Sequence, residues 1–155
     1  MTDFGEALTR GTVWLALTLY VASELATRRS HPAAARRLNI LGCAAFFAHV
    51  ASAFQFYHHW SHSAAYAETA RQTAELTGWH SGAGLYINYV FAIVWLATVV
   101  KPPRTGTIWI VRGFFWFMIF NGAVVFVHRP LRWFGLLLCL ILIACWWPTR
   151  KLIRE

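Results

Sequence analysis

Charged side chains are scarce in this sequence, and acidic ones are scarcer than basic ones. Only 13% of the 155 residues are Asp, Glu, Lys or Arg, and six acidic residues accompany fourteen basic ones. Hydrophobic residues make up 58% of the chain and aromatic residues 17%, which is more than an ordinary soluble domain carries. The composition therefore excludes a typical soluble domain and indicates a membrane protein.

Cysteine and methionine are too few to build several kinds of site. The three cysteines, Cys43, Cys139 and Cys145, lie inside apolar segments and show no C-x-x-C spacing. The sequence therefore predicts neither a disulfide framework nor a cysteine metal site, and these side chains are expected to pack as small apolar groups. The only methionines are Met1 and Met118, which makes a Met-rich copper(I) transport site a poor candidate.

The length of the chain leaves room for one domain. A bilayer core about 30 Å thick requires roughly 17 to 25 apolar residues per helix, so 155 residues permit four or five crossings. We predict an all-α, polytopic membrane helical bundle that forms a single integral membrane domain over 1–155, with five transmembrane helices favoured and four as the alternative. The predicted helices cover about 11–27, 38–57, 82–100, 108–127 and 131–147, and a short outer-surface helix covers about 63–77 between the second and third.

The last two predicted helices come from one apolar stretch between Ile108 and Trp147. At 1.5 Å per residue this stretch is about twice as long as a bilayer is thick, so it must turn. The expected turn is His128-Arg129-Pro130-Leu131-Arg132, because arginines in hydrocarbon cost several kcal/mol and proline interrupts a helix.

The distribution of basic residues predicts the orientation. Ten of them follow the first, third and fifth predicted helices, and four lie on the other side: the ten are Arg28, Arg29, Arg36, Arg37, Lys101, Arg104, Arg112, Arg150, Lys151 and Arg154, and the four are Arg10, Arg71, Arg129 and Arg132. By the positive-inside rule the N-terminus lies outside and the C-terminus in the cytoplasm, in what we interpret as a bacterial inner (plasma) membrane. Orientation accounts for the basic charge, so nucleic acid is not an expected partner.

Six of the seven histidines fall at the predicted outer end of the bundle, and they are His49, His58, His59, His62, His80 and His128. His58 and His62 are four residues apart, so on a continuous helix both would project from one face and chelate one metal ion. His59 stands where an H-E-x-x-H metalloprotease has its Glu, so a zinc hydrolase is not expected. We predict that the six histidines bind iron or copper, with zinc ranked lower, or haem b.

The simpler interpretation is that each histidine only hydrogen-bonds a neighbouring helix. For His49 alone this interpretation ranks first, and for the six together metal or haem binding ranks slightly ahead. A similar choice arises for Glu24, which lies one turn before Arg28. An ion pair between these two at the membrane interface is favoured over a functional carboxylate inside the membrane.

Other polar residues near the predicted histidine site are candidates for substrate chemistry. Glu68 is a candidate metal ligand or proton carrier, and Arg71 a candidate anchor for an anionic group, although a plain ion pair explains both. Tyr86, Asn88 and Tyr89 open the third predicted membrane helix and are candidates for binding a quinone or a lipid head group. For the tyrosines, membership of the interfacial aromatic belt is the alternative.

Three functions remain open from the sequence. The leading one is redox or electron-transfer chemistry near the outer leaflet by a membrane protein that binds a transition metal or haem, which includes a metal-dependent membrane oxidoreductase. The second is a non-catalytic subunit or assembly factor of a membrane protein complex, or a homo-oligomer, in which the histidines serve packing. The third is a pocket for a quinone or lipid substrate in the bilayer.

Overall fold

The computed structural model describes residues 3–127 and 130–147, and within these ranges the chain forms six α-helices and no strand. The helices are α1 (Asp3–Arg28), α2 (Pro32–Ala53), α3 (His62–Thr77), α4 (Gly84–Val100), α5 (Ile108–Phe120) and α6 (Leu131–Trp146). Two π-helical segments, Phe54–His58 and Asn121–Val125, continue α2 and α5 without a break. The all-helical prediction is confirmed.

Two helices begin earlier than the apolar pattern predicts. α1 includes Asp3 and the turns that follow it, where an ion pair of 2.7 Å between Glu6 and Arg10 supports the helix at i,i+4 spacing. α2 begins at Pro32 rather than near residue 38. Proline is tolerated at the first helical position because that position lacks an N–H partner anyway, and the alanines and arginines after it are strong helix formers.

Helix length decides how far the membrane prediction is supported. Two helical stretches, Pro32–His58 and Ile108–Val125, are long and apolar enough to cross a membrane. α4 and α6 are apolar but contain only 17 and 16 residues, which corresponds to about 25 Å and 24 Å. α1 has 26 residues but is less apolar than the two spanning stretches. Five crossings are therefore not confirmed by the helices themselves.

The contacts between helix ends show that α2 runs antiparallel to α1 and that α6 runs parallel to it. The start of α1 lies against the end of α2, where His49 approaches the Thr9 carbonyl. The end of α1 lies against the end of α6, where the Arg28 guanidinium donates to the Cys145 carbonyl. α1 is thus packed between α2 and α6, while α4 contacts α2 and α5 contacts both α4 and α6, which closes the ring of helices.

Aromatic rings from four helices fill the core. Tyr20 of α1 stacks on Phe115 of α5 with ring centroids 4.5 Å apart, and Phe46 of α2 stacks on Trp95 of α4 at 5.3 Å. Trp95 is fully buried, and its indole N–H donates to Asn39 Oδ1 over 2.9 Å. Each aromatic pair adds about 0.5–1.5 kcal/mol to the gain from burial alone, so this cluster fixes the relative positions of α1, α2, α4 and α5.

Gly135 permits backbone contact between α6 and the π-helical segment after α5. A Cβ atom built at Gly135 would lie 2.2 Å from the Ala123 carbonyl oxygen and 2.8 Å from its carbon. These are backbone atoms, which cannot move aside as the end of a flexible side chain can. The crossing of α6 over this segment therefore requires glycine at this position.

Substitution of Gly135 tests this crossing. We expect Gly135→Ala to lower stability by about 1–3 kcal/mol, because the added methyl must push two backbones apart. Gly113→Ala is the matched control, since Gly113 lies on an exposed face of α5 with no atom within 4 Å of its would-be Cβ. The control should be neutral or slightly stabilising. The measurement is the unfolding temperature in detergent, and a Gly135→Ala protein as stable as the Gly113→Ala protein would contradict the proposed contact.

Candidate functional site

The predicted histidine ligands do not assemble into a metal site in the described structure. Within residues 3–127 and 130–147, no group of three or more His, Cys, Asp or Glu side chains is placed to hold a metal ion. His128 lies outside the described residues. His59 and His80 are exposed, and His58 is half-buried beside the Phe54 ring.

His58 and His62 do not share a helix. The π-helical segment ends at His58, and His59 and Trp60 then adopt left-handed backbone conformations with φ of 47° and 58°. Ser61 caps the next helix by accepting a hydrogen bond from the Ala64 N–H over 3.2 Å. The chain therefore reverses between the two histidines, and the shared helical face on which the predicted i,i+4 chelate depends is absent.

Two histidines link helices by hydrogen bonds. His49 Nδ1 lies 2.9 Å from the Thr9 carbonyl oxygen, so its N–H donates from α2 to α1 in a part-buried position. His62 Nδ1 lies 3.0 Å from the Tyr89 hydroxyl, and the two rings stack with centroids 5.9 Å apart. The Tyr86 ring also lies near His62, with the two ring centroids 5.8 Å apart. The structure thus brings together three of the predicted site residues, His62, Tyr86 and Tyr89.

The remaining predicted residues lie on the surface of α3 and α4. Arg71 donates to Glu68 over 2.7 Å and also pairs with Glu75, all within α3. The Arg71 hydrogen bonds hold the pKa of the Glu68 carboxyl below its usual range, and Glu68 in turn raises the pKa of Arg71. Asn88 is exposed on α4. The observed contacts of Glu68 and Arg71 are those of a surface ion-pair network, which is the simpler of the two interpretations.

A charged site at the opposite end of the bundle was missed by the sequence analysis. Glu24 does not pair with Arg28 as predicted. Its Oε2 instead accepts hydrogen bonds from Arg112 Nε at 3.1 Å, Arg112 Nη2 at 2.8 Å and Trp146 Nε1 at 2.7 Å. Arg28 donates to the carbonyls of Cys145 and Trp147 at the end of α6. The partners of Glu24 lie 88 and 122 residues away, so local spacing does not reveal them.

The Glu24–Arg112 pair is well enough enclosed to be strong. The exposed fractions of the two side chains are 14% and 15%, so solvent screens their attraction less than it does at the surface. The Arg112 guanidinium also lies over the Trp109 ring at 5.3 Å and the Trp146 ring at 5.6 Å. These contacts offset the cost of removing both charges from water. An ionisable residue in an apolar helix is the sequence signal that could have marked Glu24.

A cavity of about 700 Å³ adjoins this ion pair and lies between α1, α2, α4 and α5. Its polar lining comes from Tyr20, Ser23, Glu24, Thr27, Ser30, Arg36, Asn39, Thr98 and Arg112, and its apolar lining includes Val99, Pro102, Ile108, Val111 and Phe115. Ligand pockets of proteins typically have about 300–1,000 Å³, mostly apolar walls and a few convergent polar groups, and they occur between the helices of bundles. The cavity has this volume and a mostly apolar lining with a few polar groups, and it is half-open to the surface of the bundle.

Comparison with known proteins gives no match: no family model, no curated protein and no solved structure is similar to this chain.

Replacing either charged residue of the Glu24–Arg112 pair by glutamine tests how much the ion pair contributes to stability. We expect Glu24→Gln and Arg112→Gln each to lower stability by about 2–4 kcal/mol, because each leaves an uncompensated charge in a mostly enclosed site. The double variant should recover part of the loss, and a double-mutant cycle gives the coupling.

The matched control is the other ion pair of α1, Glu6–Arg10, whose side chains are 39% and 64% exposed. Its removal should cost less than about 1 kcal/mol. Equal losses at the two pairs, measured by thermal unfolding in detergent, would show that enclosure adds nothing to the Glu24–Arg112 pair.

Proposed function

We propose that this chain is an integral membrane protein that binds one amphiphilic small molecule, of the lipid or quinone class, in the cavity beside Glu24 and Arg112. The observation that carries the proposal is the lining of the cavity, which combines apolar side chains with a few charged and hydrogen-bonding groups. Amphiphiles have the complementary distribution of polarity, so one end of the ligand meets the charged groups while its apolar part meets Val99, Ile108 and Phe115.

We place this site in a bundle of five crossings, formed by α1, α2, α4, α5 and α6. Support comes from the large apolar side chains that the bundle leaves exposed. Five of them, Leu140, Trp133, Ile93, Ile110 and Val100, have exposed fractions of 62% to 75%, and a protein in water rarely leaves so many uncovered. A short helix is accommodated by local thinning of the bilayer at a modest cost per ångström, so α4 and α6 are compatible with crossing.

The orientation of the bundle gives the cavity a side of the membrane. The ends of α1, α4 and α6 and the starts of α2 and α5 meet at the ion pair, and this end carries the larger share of Lys and Arg. The positive-inside rule makes it the cytoplasmic end. The cavity is therefore expected to open toward the cytoplasmic leaflet, and α3 is expected on the outer surface.

The histidines support a metal or haem function less well than the cavity supports amphiphile binding. In the described part of the chain, His49 and His62 each use one ring nitrogen on a neighbouring helix, and the break after His58 separates the expected chelating pair. Iron, copper or haem binding stays a prediction that metal analysis and an absorption spectrum of the purified protein test. Membership in a larger membrane complex or homo-oligomer is compatible with amphiphile binding and is tested separately by the mass of the purified particle.

Cysteine labelling tests whether α4, one of the two short helices, crosses the membrane as the five-crossing arrangement requires. Ala67→Cys lies on an exposed part of α3 and Thr105→Cys in the exposed turn between α4 and α5. We expect a membrane-impermeant maleimide to label the residue at position 67 from outside intact cells, and the residue at position 105 only after the membrane is opened. The unmodified protein measures background from its own three cysteines. Labelling of both positions from the same side would refute the arrangement.

Filling the cavity tests amphiphile binding. Val111 lines the cavity, whereas the next residue back, Ile110, is 74% exposed. Val111→Phe should reduce the binding of oleyl alcohol and decylubiquinone at least about tenfold, because the ring occupies the volume that the ligand needs. Ile110→Phe adds a ring on the outer face of α5 and should leave binding unchanged. The measurement is equilibrium binding to purified protein in a neutral detergent, and absence of saturable binding by the unmodified protein would overturn the proposal.

A further inference from the structure

The charged side chains that line the cavity carry a net positive charge. Glu24, Arg36 and Arg112 contribute one negative and two positive charges to its lining. Each glutamate of the described structure is paired with another arginine: Glu6 with Arg10, Glu24 with Arg112, and both Glu68 and Glu75 with Arg71. The guanidinium of Arg36 therefore brings an uncompensated positive charge to the cavity.

Arg112 is a poor candidate for binding the ligand directly. Its Nε and Nη2 both donate to Glu24, and its guanidinium is placed against the rings of Trp109 and Trp146. The Glu24 carboxylate already compensates the charge of Arg112, so a ligand anion there would have to compete with Glu24. The pair positions α1, α5 and α6 beside the cavity.

Asn39 supplies a second donor near Arg36. It lies one helical turn after Arg36 on the same face of α2, and both line the cavity. The Asn39 side-chain oxygen accepts from the Trp95 indole over 2.9 Å, so the amide N–H₂ is the part of Asn39 left for a ligand. A guanidinium and an amide N–H₂ offer only hydrogen-bond donors, and such a pair suits an anionic oxygen group.

From this arrangement we infer that the amphiphile carries a single negative charge on its head group and that Arg36, with Asn39 beside it, binds that head group. The inference rests on the proposed function and names the ligand class for the same cavity. An acyl chain would lie against the apolar walls toward Val111 and Phe115, while the oxyanion remains at the Arg36 rim. Arginine binds carboxylate and phosphate oxygens through two parallel N–H donors, so both a fatty acid and an acidic phospholipid fit.

The volume of the cavity determines how much of each ligand would lie inside it. About 700 Å³ is within the range that encloses a drug-sized molecule, so a single acyl chain with a carboxylate fits inside. A phospholipid has two chains, and one of them would have to remain in the bilayer. The test therefore compares oleate with dioleoyl phosphatidylglycerol as anions, and oleyl alcohol with dioleoyl phosphatidylcholine as their matched ligands without net charge.

Binding of these four probes to the purified full chain in neutral detergent tests the inference. Oleate should bind about tenfold more tightly than oleyl alcohol, which is the size expected when a hydrogen-bonded charge is added in a partly enclosed site. Arg36→Gln should remove this tenfold preference and leave oleyl alcohol binding unchanged. Arg37→Gln is the matched control, because Arg37 carries the same charge one residue later but lines an adjoining surface depression and not the cavity itself.

The outcomes separate the inference from the function on which it rests. If phosphatidylglycerol is preferred over phosphatidylcholine by the same tenfold factor, and only Arg36→Gln removes this preference, the inference is supported with a phospholipid as the ligand. If Arg37→Gln acts as strongly as Arg36→Gln, diffuse surface charge explains the preference and the inference is overturned. If oleate and oleyl alcohol bind equally, the inference fails while amphiphile binding stands. If no probe binds saturably, both fail.

Discussion

One carboxylate oxygen holds three helices together at the end of the bundle where α1 and α6 end. Glu24 of α1 accepts from Arg112 of α5 and Trp146 of α6 on the same Oε2 atom, and Arg28 of α1 binds the last carbonyls of α6. A charge in an apolar environment is costly unless its partner is close. The three helices therefore have little freedom to separate or rotate here without leaving a charge unpaired.

The cavity is a consequence of this arrangement together with the aromatic core. Tyr20, Trp95 and Phe115 close the middle of the bundle, and the ion pair fixes α1, α5 and α6 beyond it. The open volume adjoins both constraints, since Tyr20 and Phe115 line it as well as Glu24 and Arg112. A buried ion pair is frequently no more stabilising than well-packed apolar side chains of the same volume, so stability alone gives little reason for one here. The proposed ligand gives a reason for the ion pair, because the pair supplies a polar wall to the cavity.

The sequence predicts helices far better than it predicts the site. Apolar length and the proline-containing segments locate α2, α4, α5 and α6, because hydrophobic burial and helix breaking are local properties. The break after His58 depends on left-handed backbone conformations at His59 and Trp60. Residues other than glycine seldom adopt these conformations, so the sequence indicates a continuous helix instead. The partners of Glu24 are distant in sequence, and only tertiary packing selects Arg112 over the nearby Arg28.

The two ends of the bundle are held by different chemistry, and this difference limits what each can bind. At the end where α1 begins, His49 and His62 each use Nδ1 in a hydrogen bond to a neighbouring helix, so a metal there would have to bind the other ring nitrogen. Within the described residues these histidines belong to no group of three side chains placed to hold a metal ion. At the end that holds Glu24, the helix contacts described above do not use Arg36, so a ligand can bind Arg36 without breaking any of them. A free cation at one end and an incomplete ligand set at the other are the physical reason for proposing function beside Glu24.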